Sequence, residues 1–129
     1  MKRQMTNKDI LAYALSLQNI FLNSEKEIIL PVKVNFYLQK NLKLFTELAS
    51  EIEESRLQIG EKYGEYNQET ESYIIKDKSQ IKQAQNEIKE LLSLTQNLEI
   101  YTVSLEDLQD LQFTTAQMNA MLFMIKEEE

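Results

Sequence analysis

The chain contains no cysteine and no histidine. Without cysteine there is no disulfide framework and no thiol nucleophile. Without either residue the usual zinc-ligand sets and the commonest general base are excluded as well. Glycine occurs twice and proline once in 129 residues. Few turns can then be glycine-based, which favours long helices over many short strands. No apolar run approaches the roughly 20 residues that a membrane-spanning helix needs. Met1–Asn7 is polar with no apolar core behind it, so no signal peptide is expected.

Positive charge is also in short supply. Lysine and arginine number 14 against 21 acidic residues, a net charge of −7 with a pI near 4.7. Nucleic acid and anionic membranes both repel such a surface, so neither DNA, RNA nor a membrane is an expected partner. The imbalance is local. Residues 32–44 hold Lys33, Lys40 and Lys43 and no acid, whereas residues 46–71 hold eight glutamates against Arg56 and Lys62.

The remaining composition, 43% hydrophobic and 27% charged, suffices for a buried core and fits one domain over residues 1–129. Its organising stretch is 31–63. Leu38, Leu42, Phe45, Ala49, Ile52, Arg56, Ile59 and Tyr63 recur at alternating steps of four and three, one face of a helix. At about 1.5 Å per residue this helix is a rod of about 50 Å. Val32, Val34, Phe36 and Leu38 also alternate with polar residues, a strand pattern; the helix is preferred because its period continues far downstream. Pro31 suits the first position of a helix, and Gly64 is placed for a left-handed C-cap.

Flanking elements follow from the same signals. Residues 6–23 read as a helix opened by Thr6 and Asp9 and ended at Asn23-Ser24, with 25–30 a connection. Residues 65–72 read as a polar loop and 73–76 as a short strand. A helix starts at Asp77 or Ser79 and ends near Asn97. Residues 98–103 have the strongest strand propensity and are expected to pair with 73–76. Ser104 and Asp107 cap one turn. Thr114 and Gln117 form a capping box, with Phe113 and Met118 at the staple positions, ahead of an apolar final helix ending in solvated glutamates. The expected fold is mainly α, a helical bundle around the long helix with a minor β element. A rod with so long an apolar stripe predicts a homo-oligomer, with Leu38, Leu42, Phe45, Ile52, Ile59, Met121 and Met124 as interface candidates.

Three groups carry candidate chemistry. Lys33, Tyr37 and Lys40 share a helix face with Asn41 beside it, near a helix N-terminus where the dipole favours anions. An anion or nucleotide site with Tyr37 stacking on a base competes with a plain solvated face. Arg56 interrupts the apolar stripe and must find a partner or snorkel outward; it is an anion clamp, an interface pair with a carboxylate of another chain, or an intrachain ion pair with Glu53 or an acid of the 79–93 helix. Glu47, Glu51 and Glu54, with Glu87 and Glu90 on a second helix, have the spacing of paired acids that hold Mg²⁺, although any acidic helix yields such pairs. No metal ion, cofactor or catalytic residue is expected.

The run Leu30–Asn41 (LPVKVNFYLQKN), the glutamate-rich stretch with Arg56 and Tyr63-Gly64, Ile100–Val103 and Phe113–Met118 together resemble small uncharacterised accessory proteins of tailed bacteriophages and of prophages of Gram-positive and gut bacteria. The resemblance covers most of the chain. It implies a non-enzymatic binding protein of the bacterial host cytoplasm that inhibits an anti-phage defence system, by contact with a host protein or by sequestering a nucleotide signal. The alternatives are a virion assembly or structural accessory protein and, third, a Mg²⁺-dependent all-α nucleotide pyrophosphatase using Glu51, Glu54, Glu87 and Glu90.

Overall fold

The computed structural model describes residues 1–22 and 29–126. In chain order the elements are β1 (Lys2–Thr6), α1 (Asn7–Leu17) with a π-helical turn at Gln18–Leu22, α2 (Val32–Tyr63), β2 (Glu65–Asn67), β3 (Ser72–Ile74), α3 (Lys78–Ser93) and β4 (Thr95–Glu99). A 3₁₀ turn at Glu106–Leu108 follows, then α4 (Thr115–Met121), which tightens into a 3₁₀ turn at Leu122–Met124. The expected helix stop at Asn23-Ser24, most of the 25–30 connection and the closing glutamates lie outside the described residues. Among the described residues no helix is long and apolar enough to cross a membrane.

The mainly helical architecture around one long helix is as the sequence predicts. Pro31 precedes the first turn of α2 in an extended conformation, and its carbonyl accepts from the Asn35 N–H at 2.9 Å. The alternation over 32–38 resolves as two opposite helix faces. Val34 and Leu38 are buried, while Val32 and Phe36, displaced by half a turn, point to solvent.

The buried stripe of α2 is Val34, Leu38, Asn41, Leu42, Phe45 and Ile52. Ile10, Ala14 and Leu17 of α1 pack against it. The chain's C-terminal segment closes the other side with Met121, Phe123, Met124 and Ile125. At the centre Phe45 meets Phe123 edge-on, ring centroids 5.1 Å apart, and Tyr13 contacts both rings. Such aromatic clusters add to plain area burial. This packing corrects the interface assignment. Leu38, Leu42, Phe45, Ile52, Met121 and Met124 are at most 5% exposed, so α1 and the C-terminal segment use up their apolar surface inside one chain. Ile59 alone of that set is half-buried.

The β elements pair differently from expectation. β3 is not bonded to the 98–103 region; it forms a hairpin with β2, in register Glu65 with Ile74 and Asn67 with Ser72. Asn67 Oδ1 turns the chain by accepting from the Glu69 N–H at 2.9 Å, and Glu71 takes φ 52°. β4, starting at Thr95, pairs antiparallel with β1, a strand without apolar alternation that therefore leaves no signal of its own. Gly64 is not a left-handed cap. Its φ is −127°, and the hairpin presses on it instead: a Cβ there would lie 2.9 Å from the Ile74 carbonyl oxygen.

Two buried asparagines hold the elements together. Asn7, the first residue of α1, donates its backbone N–H to Leu94 O and its Nδ2 to Leu91 O, both at 2.8 Å, and accepts from Gln96 Nε2 at 2.7 Å. It ties the start of α1 to the end of α3. Asn41, fully buried in the middle of α2, donates Nδ2 to Tyr101 O at 2.8 Å and accepts from the Tyr101 N–H at 2.9 Å. This amide stands in for a neighbouring strand and clasps the segment after β4. Beyond the clasp, Val103 donates to Met124 O and accepts from Lys126 N, which brings the C-terminus onto the same segment.

Asn41→Leu keeps the side-chain volume but strips both Tyr101 backbone groups of their buried partner. Unsatisfied groups of this kind cost about 1–3 kcal/mol each. The variant is expected to lose about 2–4 kcal/mol in urea unfolding, with a melting temperature lower by roughly 10 °C; an unchanged transition would show that the clasp does not stabilise the fold.

Candidate functional site

The basic face of α2 is only partly assembled as an anion site. Lys33 Nζ pairs with Asp107 Oδ2 at 3.1 Å and lies 5.9 Å from the Tyr37 ring centroid. Asp107 is itself fixed by its turn: its carboxylate accepts from the Ser104 N–H at 2.9 Å, and its own N–H donates to Ser104 Oγ at 3.2 Å. The Ser104 amide and then Lys33 hold this carboxyl below the usual carboxylate range. Lys40 is exposed with its ammonium 5.3 Å from the Phe36 ring centroid, a cation–π contact. Asn41 points into the core and is spent on Tyr101. Arg56 is half-buried and pairs within its own helix with Glu53 at 3.2 Å, the local reading of that residue. Lys33, Tyr37 and Lys40 therefore share a surface; Asn41 and Arg56 do not contribute to it.

Sequence reasoning missed the aromatic partner. Tyr37 and Tyr101 pack with ring centroids 5.3 Å apart, and Phe36 follows Tyr37 at 6.2 Å. The result is a shelf of three rings edged by Lys33 and Lys40. Beside it is a hollow lined by Tyr37, Ile100, Tyr101, Thr102, Met1 and Glu99, open to solvent. Tyr101 belongs to this shelf because Asn41 fixes its backbone while the residue stays 43% exposed. The two tyrosines are 64 positions apart in the sequence, and no local pattern joins them.

The acidic pairs do not converge. Glu51, Glu54 and Glu90 are exposed, and Glu87 Oε1 accepts from Lys62 Nζ at 2.9 Å, linking α3 to the end of α2. Among the described residues no three acidic side chains group as a cation would require. The Tyr63 hydroxyl and the Lys62 ammonium flank the Glu87 carboxyl and hold it below the usual range, while Glu87 in turn raises Lys62.

No family model, characterised protein or solved structure matches the chain. Its surfaces must therefore be read from their own chemistry.

The lowered Glu87 carboxyl makes its contribution to stability depend on pH. A carboxyl lowered in the folded state stabilises it above the unfolded-state pKa, and that contribution is lost as pH falls through the folded value. Glu87→Gln is expected to melt below the parent at pH 7, with the gap closing below about pH 4. A gap that does not change with pH would assign the effect to packing rather than to the charge on Glu87.

Proposed function

We infer that the chain is a phage- or prophage-borne binding protein, without catalysis of its own, that inhibits a bacterial anti-phage defence system by contacting one of its proteins in the host cytoplasm. The observation that carries this reading is the shelf of Phe36, Tyr37 and Tyr101 with Lys40 at its edge. Exposed Tyr and Phe rings are residues that protein–protein interfaces enrich, Tyr above all at their hot spots. The residues that resemble phage accessory proteins supply the setting; the shelf supplies the means.

Protein contact is preferred over nucleotide sequestration on two grounds. Small-ligand sites enclose most of their ligand, and the hollow beside the shelf is open. An anion would also have to displace Asp107 from Lys33 and find Asn41 and Arg56 already committed. A nucleotide at 100 times its dissociation constant would stabilise the fold by about 2.7 kcal/mol, several degrees. Across a panel of linear and cyclic nucleotides the expected shift is below about 1 °C; a larger shift would return the site to sequestration.

The direct test is the plating of a defence-sensitive phage on a defence-bearing host that expresses the chain. Plating is expected to rise, and Lys40→Glu to abolish the rise without lowering the melting temperature; Tyr101→Ala should abolish it too, at a cost of a few degrees for the lost ring contact with Tyr37. Unchanged plating, with virions failing to assemble when the chain is removed from its phage, would instead make it an assembly factor.

A further inference from the structure

Opposite its buried stripe α2 carries a second one. Val32, Phe36, Lys43, Ser50, Leu57 and Glu61 fall within one quadrant of the helix at 100° per residue, and all are exposed. Three of the six are large apolar side chains, Val32 at 88%, Phe36 at 53% and Leu57 at 57%. The other side of the helix supplies the core, and among the described residues Val32, Phe36 and Leu57 all remain more than half exposed.

Charge along the same helix is divided. Between Val32 and Phe45 the only charged residues are Lys33, Lys40 and Lys43; between Thr46 and Tyr63 five glutamates face Arg56 and Lys62. Arg56 is paired with Glu53 and Lys62 with Glu87. Among the described residues Lys40, Lys43, Glu47, Glu54 and Glu61 enter no ion pair. The outer face is thus basic and apolar at its start, acidic with one leucine at its end. A strip of this kind complements its own reverse.

We propose that two copies of the chain associate through this face, α2 antiparallel to α2, about a two-fold axis near Thr46–Glu47. Phe36 and Leu57 are equidistant from that axis, so the two-fold lays Phe36 of one copy on Leu57 of the other at both ends, with Val32 a turn farther out beside the other copy's Glu61. Lys40 and Lys43 come within about a turn of the other copy's Glu47 and Glu54, twice over by symmetry. A parallel pair would set lysines against lysines and glutamates against glutamates. The partner is therefore a second copy of this chain in one orientation. The face adjoins the tyrosine shelf at Phe36 and Lys40, whereas Tyr37 lies 100° round the helix from Phe36; Lys43 and Leu57 lie outside the shelf, so substitutions there test the dimer apart from the proposed function. The pair would carry its two shelves toward opposite ends, about 28 Å apart along the axis.

Sedimentation and light scattering across a wide concentration range test this. A monomer–dimer equilibrium is expected, several-fold weaker at high salt because the ion pairs are exposed. Leu57→Glu and Lys43→Glu, both at exposed positions, should be monomeric with melting curves close to the parent's. The chain has no cysteine, so single cysteines take a nitroxide label cleanly. In the dimer, labels at Ser50→Cys should lie within about 20 Å and labels at Glu61→Cys about 45 Å apart. A chain that stays monomeric throughout overturns the proposal and leaves this face to a different protein. A dimer that survives Leu57→Glu, or one with the Glu61 labels close together, overturns it equally.

Discussion

Asn41 and the Tyr101 backbone form the contact on which the other parts converge. A carboxamide with no exposure in the middle of a helix is costly unless satisfied. Here both its ends are used, as donor to one peptide group and acceptor from the same residue's N–H. The segment following β4 is thereby held along α2 without being a strand of any sheet. From that point the chain places Tyr101 on Tyr37, docks Val103 on Met124 and sends the last turn into the core beside Phe45. The tyrosine shelf and the C-terminal half of the core share one polar support.

The long helix divides its labour by face. Its inner stripe is consumed by α1 and the C-terminal segment. Its flank carries the tyrosine shelf, and its outer stripe keeps apolar residues in water with charge of opposite sign at its two halves. Apolar periodicity alone could not tell the first of these from the last. The stripe whose period predicts another copy of the chain is the core, and the face with less regular hydrophobicity is the exposed one.

What the sequence made legible was local. The capping box at Thr114 and Gln117, the Asp77 cap and the Ser104–Asp107 turn are all present, because each needs only residues within one turn. The 3.6 period gave α2 to within a residue of its ends. What failed was long-range. β1 is polar and becomes a strand only because β4 pairs with it; β3 was assigned to a partner 20 or more residues away when its neighbour in sequence sufficed. Gly64 is glycine for the close approach of the hairpin, not for a left-handed φ. Of the candidate site, Lys33, Tyr37 and Lys40 were found by helical spacing. Tyr101 was not, and Asn41 was found with the wrong role, since spacing places a side chain near a face without saying whether it turns inward.

Native-state hydrogen exchange at the Tyr101 amide tests the central claim most directly. If the Asn41 clasp supports this half of the molecule, that amide exchanges only through openings close to global unfolding, although it belongs to no sheet and its own ring is exposed. Exchange at the rate of an unprotected loop amide would contradict the account: the clasp would open freely, and the tyrosine shelf would not be a preformed surface.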